Sequence, residues 1–382
     1  MTDPPPSFSF ALDTDISFGP GSRAGLPEAA LRFGRRVALV TGAGFEERPH
    51  AAELLEGLAR AGVEVVAHER ASGEPDDGLV RDVAARLAVA APDAVIGIGG
   101  GSPLDLAKAA AVVAAGGDLD ALLGGATVAI GGSVPVIALP TTAGTGSEVS
   151  RAAIVLHRSA RRKRGVRGRG VAARVAIVDP ELVFSTGRRV TAESGFDAMA
   201  HALETGVSRA ASPLNVLLAG DAVRRLLDAI PVSLAEPQSE AARTSAAYAA
   251  LLMGVNLATA STYLPHRLQY PVGAMTGTSH PRGVAALMPS WLRRTERHAP
   301  DRLAALAEAA GIVADDEGAS VRGLLAALDG WLDRIGMRTT LGELGVAAGD
   351  VRELVAMVEG SLHNDPGPVE PADLDRLYRE SL

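Results

Sequence analysis

Across 382 residues the chain is 47% hydrophobic and 21% charged, with 37 basic and 45 acidic side chains and a formal net charge of −8. That much apolar surface excludes a disordered chain, and the acidic balance argues against a nucleic-acid binder. Cysteine is absent, which removes thiolate nucleophiles, disulfides and cysteine-held metals and leaves any metal to His, Asp or Glu.

The first ten residues contain no basic segment followed by an apolar stretch, so no secretory leader is expected. The long hydrophobic stretch 121–139 is broken by Gly124, Gly125, Gly131, Gly132 and Pro135, which suits strands and turns better than a membrane span. A soluble cytoplasmic protein is the expectation. Only Lys108 and Lys163 are lysines; every other basic residue is arginine.

In chain order, a strand is expected at 37–41, closed by the turn Gly42-Ala43-Gly44 and followed by a helical stretch at 51–62. A strand at 63–66 and an amphipathic helix at 77–91 come next. The strand at 94–98 runs into Gly99, Gly100, Gly101 and Ser102 and an alanine-rich helix; the run 134–139 repeats the pattern before Thr141. The run 175–178 precedes Asp179-Pro180. Strands alternating with helices predict a parallel sheet, whose strand C-termini carry ligand loops. Beyond 186 the texture becomes alanine- and leucine-rich, with helical segments at 191–209, 212–229, 239–264, 300–311 and 318–335 and a short terminal helix. The predicted architecture is an α/β domain, Rossmann-like, over 1–185 and an all-helical domain over 186–382.

Four constellations could carry chemistry. Three glycines between strand and helix let backbone approach a pyrophosphate at a helix N-terminus, although a tight turn without ligand gives the same pattern. Asp105 and Lys108 follow at i, i+3 spacing, in isolation a surface ion pair. The hydroxyl-rich loop with Thr141, Thr142, Thr145 and Ser147 reads as a phosphate or ribose contact, or as a helix cap. Asp197 and His201 stand i, i+4 on one helical face, either as paired metal ligands or as an ordinary Asp–His contact. With His266 and His280 they would form a three-nitrogen, one-oxygen set for a divalent metal. The other histidines, His50, His68, His157, His298 and His363, read as surface residues.

Together and in this order, these segments resemble the iron-containing (group III) alcohol dehydrogenase family. The match runs from Phe18-Gly-Pro-Gly-Ser22 through GGGSPLDLAK (99–108), PTTAGTGSE (140–148), DPEL (179–182), GFDAMAHALE (195–204), HRLQYPVG (266–273) and HPRG (280–283) to NDPGPV (364–369). The 14 residues between His266 and His280 equal the family's spacing for its last two metal ligands.

The resemblance implies an N-terminal dinucleotide-binding domain, a helical metal domain and a cleft between them, as in dehydroquinate-synthase-like folds. It assigns the metal, Fe2+ or Zn2+, to Asp197, His201, His266 and His280. The pyrophosphate falls to Gly99, Gly100, Gly101 and Ser102, with Asp105 in the same motif. Other cofactor contacts fall to Thr141, Thr142, Thr145, Ser147 and Lys163. The implied reaction is hydride transfer between NAD(P)H and an aldehyde or ketone, giving the alcohol, in a homodimer. A hydroxyacid–oxoacid transhydrogenase, a dehydroquinate-synthase-like lyase and a dinucleotide-binding sensor are the competing readings.

Two departures from the family pattern bear on detail. Gly42 stands where many relatives carry an Asp that repels a 2′-phosphate, which favours NADPH over NADH; Glu46 and Glu47 nearby work against that. Tyr270 stands where common members have a second histidine, and a phenol of ordinary pKa about 10 donates a hydrogen bond rather than titrating near neutrality. Tyr270 and His266 are read as catalytic, the phenol as a hydrogen-bond donor; the other reading is that Tyr270 packs and water does the proton transfer. Finally, Arg158, Arg161, Arg162, Lys163, Arg164, Arg167 and Arg169 crowd a short stretch without interleaved aromatics. This reads as a solvated hairpin, or as a patch attracting an anionic cofactor or aldehyde.

Overall fold

In the computed structural model, residues 6–160 and 162–382 are described; Arg161 of the basic run and residues 1–5 of the segment read for a leader lie outside them. The contacts divide the chain into two units, Leu12–Thr186 and Gly187–Leu382, the latter joined by the segment ending at Ala11.

Eight strands are described in the first unit: β1 (Asp15–Phe18), β2 (Arg36–Gly42), β3 (Glu64–Ala71), β4 (Ala94–Gly99), β5 (Val136–Pro140), β6 (Ala152–His157), β7 (Arg162–Arg167) and β8 (Val175–Val178). Six form a parallel sheet in the order β1-β8-β5-β4-β2-β3. Along β2, Val37 and Leu39 join one core cluster while Ala38 and Val40 join the other. The first cluster takes Leu26 of α1 (Leu26–Leu31) and Leu54 and Leu58 of α2 (Ala51–Arg60). The second takes Val80, Val83 and Leu87 of α3 (Asp77–Ala90) and Leu104, Ala107 and Ala111 of α4 (Gly101–Ala114). Burial on both faces is why these strands read as continuous apolar runs.

Register places the ligand loops side by side. Thr41 of β2 pairs with Ile98 of β4, and Gly99 pairs with Pro140 of β5. The turn at Gly42, the glycines after β4 and the loop after β5 therefore share one edge of the sheet. The stretch 121–139 is mostly not strand: α5 (Leu119–Leu123) is capped by the Asp118 carboxylate, and strand begins only at Val136, past Pro135. β1 is short and largely exposed, and its polar–apolar alternation did not stand out in the sequence. Asp179, buried, pairs with Arg23 at 2.8 Å and accepts the Arg23 amide at 3.1 Å, tying the DPEL segment to the residues after β1.

Nine helices are described in the second unit: α6 (Arg188–Val207), α7 (Pro213–Ala235), α8 (Glu240–Leu257), α9 (Leu264–Thr276), α10 (His280–His298), α11 (Pro300–Ala309), α12 (Glu317–Ile335), α13 (Val351–Met357) and α14 (Pro371–Glu380). The single segment expected at 239–264 is two elements. Pro265 favours a helix start, and the Glu204 carboxylate caps α9 by accepting the Tyr263 amide at 2.7 Å. Pro281, Pro289 and a run of arginines hid α10. The NDPGPV segment is pinned through buried Asp365, which accepts from Arg294 at 2.5 Å, Trp291 Nε1 at 3.1 Å and the Gly367 amide at 3.0 Å. Among the described residues no helix is long and apolar enough to cross a membrane.

Candidate metal centre and dinucleotide cradle

α6, α9 and the first residue of α10 bring Asp197, His201, His266 and His280 together. The Nε2 atoms of His201, His266 and His280 stand 3.8, 3.9 and 3.7 Å from one atom, Asp197 Oδ1. Ligand atoms of Asp197, His201 and His266 lie within 4.8 Å of one another, all three residues buried. The His201 and His266 rings stack with centroids 4.9 Å apart, and His280 lies 5.0 Å from His266. Ligands each about 2.0–2.2 Å from one cation stand roughly 3–4 Å apart, so these separations fit a shared ion. Asp197 Oδ1 and His266 Nε2 are moreover buried without a hydrogen-bond partner, a costly state that a cation between them would relieve. The residues fit a divalent metal.

The electrostatics agree. Burial works to raise the Asp197 carboxyl, but the three imidazoles hold it well below the usual carboxylate range. Burial works to lower His266, and the carboxylates of Glu204 and Asp197 outweigh it, raising the imidazole to about 10.

Two supporting residues escaped the sequence reading. Glu204, fully buried, hydrogen-bonds His266 Nδ1 through one oxygen and caps α9 through the other. Gln269 Oε1 is 2.5 Å from His280 Nδ1. Its amide is clamped by Gly273 and Gly283, where an added Cβ would stand 2.8 Å from Nε2 and 2.7 Å from Cγ. Each lies three residues after a ligand on its own helix, a spacing that could have signalled them. His201 is further steadied by Thr205, whose hydroxyl donates to the His201 carbonyl at 2.6 Å and accepts from Asn256 at 3.1 Å.

Tyr270 is half-buried, its ring centroid 5.9 Å from that of His280, and its hydroxyl accepts from Arg267 Nη1 at 3.4 Å.

In the first unit, α4 begins at Gly101 after Gly100, with no side-chain cap, so the first amides remain for a ligand. Gly99 has φ +152°, and a Cβ there would meet Pro103 at 2.6 Å. A Cβ at Gly101 would stand 2.9 Å from Thr145, and one at Gly100 3.3 Å from Thr142. The glycines thus let the threonine loop close over the helix N-terminus, a cradle that fits a pyrophosphate. Thr141 joins it through its amide, 2.9 Å from the Gly99 carbonyl; Ser102 lies in the first turn of α4.

Asp105 and Lys108 are not a surface pair. Lys108 is buried and donates to the carbonyls of Ser147 at 2.7 Å and Ala152 at 2.5 Å. Asp105 accepts from the Ser147 hydroxyl at 2.5 Å and the Ile154 amide at 2.9 Å. Both carboxylate oxygens and the ammonium are spent fixing the threonine loop and β6 to α4, so Asp105 and Ser147 shape the cradle from behind.

Of the described residues of the basic run, Arg162, Lys163, Arg164 and Arg167 lie on β7, which pairs antiparallel with β6, and Arg158 and Arg169 flank the hairpin strands. Three of the run's charges meet acids of the same unit: Arg158 with Asp76 at 2.6 Å, Lys163 with Glu74 at 2.5 Å and Arg169 with Asp13 at 2.5 Å. At the end of β2, a Cβ on Gly42 would touch only Pro103, at 3.5 Å. Glu46 is ion-paired with Arg70 and lies 3.8 Å from His68 Nδ1.

Comparison with known proteins covers the whole of this arrangement. The profile described as iron-containing alcohol dehydrogenase matches residues 13–180, and that described as the C-terminal part of the Fe-containing alcohol dehydrogenase family matches 191–382. A choline dehydrogenase of Bacillus subtilis is 30% identical over 80% of this chain and 77% of its own length. A maleylacetate reductase of Rhizobium sp. is 30% identical over 96% of this chain and 95% of its own. The crystal structure of a 1,3-propanediol oxidoreductase superposes with a TM-score of 0.92 at 27% identity, covering 99% of this chain and all of the other.

Proposed function

The chain belongs to the iron-containing alcohol dehydrogenase family and interconverts alcohols and carbonyl compounds, and from that premise we propose an NADPH-preferring reductase of aldehydes or ketones working with Fe2+ or Zn2+. Asp197, His201, His266 and His280 would hold the cation, which when bound supplies Lewis acidity toward a carbonyl oxygen. Gly99, Gly100, Gly101, Ser102, Thr141, Thr142 and Thr145 would hold the dinucleotide, the source of the hydride. Reduction places that hydride on carbon and one proton on oxygen. Tyr270, beside His280, would give that proton from its hydroxyl and take it back from solvent before the next turnover.

The single observation carrying this reading is the convergence of three Nε2 atoms on Asp197 Oδ1 at 3.7–3.9 Å. The names of the relatives span a cation, a dianion and a neutral diol, so they leave the substrate class open. The preference for NADPH is supported by Gly42, which puts no carboxylate at the end of β2, and by Arg70, which compensates Glu46.

Oxidation of NADPH or NADH by an aldehyde tests the reading. Protein stripped of metal should lose activity at least a hundredfold and regain it with Fe2+ or Zn2+. Asp197→Ala should not recover. Gly42→Asp should move the NADPH/NADH ratio of kcat/KM at least tenfold toward NADH. Full activity of the stripped protein would end the proposal.

A further inference from the structure

We infer that Arg267 is a specificity residue for the metal centre, selecting carbonyl substrates that carry a terminal oxyanion, a carboxylate or a sulfonate; this rests on the reductase reading above. Arg267 is only 8% exposed, its Nε is buried without a partner, and no carboxylate among the described residues pairs with it. A guanidinium cannot shed its charge, and burying one without a counter-ion is costly. Arg294 of the same unit, just as buried, spends its charge on Asp365 at 2.5 Å. Among the described residues the Arg267 guanidinium meets Tyr270, whose ring centroid lies 5.5 Å from Cζ and whose hydroxyl lies 3.4 Å from Nη1.

Its place gives the charge a use. Arg267 directly follows the ligand His266. Tyr270, which touches its guanidinium, has its ring 5.9 Å from that of His280, so the cation stands one aromatic ring from the metal centre. The backbone at Gly360 presses against the other edge: a Cβ there would lie 2.8 Å from Nε and 3.1 Å from Cδ. The guanidinium is thereby held in place, and its planar fork matches a carboxylate or sulfonate. In the basic hairpin, Arg158, Lys163 and Arg169 are already paired with Asp76, Glu74 and Asp13, whereas no carboxylate among the described residues pairs with Arg267.

The test uses metal-loaded protein with NADPH and three aldehydes: 4-oxobutanoate, 3-oxopropane-1-sulfonate and butanal. At least one anionic aldehyde should exceed butanal thirtyfold or more in kcat/KM, through KM, and the better of the two identifies the head group. In Arg267→Met that ratio should fall at least tenfold, and Arg267→Lys should restore part of it. Equal use of all three aldehydes by the unaltered protein overturns the inference, as does an Arg267→Met protein that loses all three in proportion, the mark of a structural role. Reduction of butanal without anion preference defeats this inference alone; no reduction of any aldehyde defeats the reductase reading along with it. Calorimetry on the unaltered, metal-loaded protein with NADPH, which cannot take a hydride from an alcohol, gives a readout independent of turnover and of variant folding. 4-Hydroxybutanoate binding at least tenfold tighter than butan-1-ol, which shares its alcohol but lacks the terminal carboxylate, supports the assignment, and equal affinities overturn it.

Discussion

Glu204 lies seven residues after Asp197 and three after His201, on the same face of α6, and its carboxylate divides its oxygens between the His266 ring and the first turn of α9. A charged acceptor on Nδ1 fixes the tautomer that turns Nε2 toward Asp197 and makes the imidazole a stronger ligand. Glu204→Gln keeps the shape and a capping oxygen but loses the charge. It should weaken metal binding by about 10–100-fold, read by chelator competition, while the helical content stays unchanged. Unaltered metal affinity would reduce Glu204 to a cap. The i, i+4 spacing of Asp197 and His201 showed a pair that could be metal ligands or an ordinary contact, and His266 and His280 joined it only through the resemblance to the family. Glu204 and Gln269 were not legible, because an acid or amide in an apolar helix reveals its partner only when another helix arrives. Arg267 was hidden differently: sequence shows a charge but not that no carboxylate among the described residues meets it.

α4 and the loop following β5 are held as one element by buried polar groups, and this gives them a pH dependence. Glu148 is buried near Lys108; desolvation raises its carboxyl to about 7, against an ordinary 4.5, with the Lys108 charge only partly opposing. The folded protein then keeps a proton that the unfolded chain has released above pH 4.5. Stability accordingly falls as pH rises from about 4.5 to about 7 and stays lower beyond. Glu148→Gln removes this dependence. The melting temperature of the variant relative to the parent should climb between pH 5 and pH 8, by the equivalent of at most about 3 kcal/mol. Any pH-independent cost of the amide offsets the curve without changing its slope, and parallel curves would place the carboxyl near its ordinary value. The same element marks the limit of local reading. Alternating burial on β2, β4 and β5 was visible as continuous apolar runs, whereas Lys108 looked like a surface residue because Ser147 and Ala152 reach it only through tertiary contact. The break between α8 and α9 also depended on a distant residue, the Glu204 carboxylate that caps the second helix.

At the scale of the molecule, the two halves of the chemistry come from separate stretches of chain. The proposed metal donors all lie between Asp197 and His280, in the helical unit; the proposed dinucleotide cradle lies between Gly42 and Ser147, in the α/β unit. A ligand that binds only the native state stabilises what it binds by RT ln(1 + [L]/Kd), about 2.7 kcal/mol at a hundred times Kd. Hydrogen exchange should therefore separate the two. Zn2+ at that concentration should slow exchange in α6, α9 and the start of α10 by up to about a hundredfold where exchange requires that unit to open, leaving the amides of β2, β4 and β5 little changed. NADP+ should do the reverse, protecting the first turn of α4 and the loop from Thr141 to Ser147. Equal protection of both units by either ligand would mean that the chain opens only as a whole. Protection of the α/β unit by Zn2+ alone would place the cation elsewhere than on Asp197 and the three histidines.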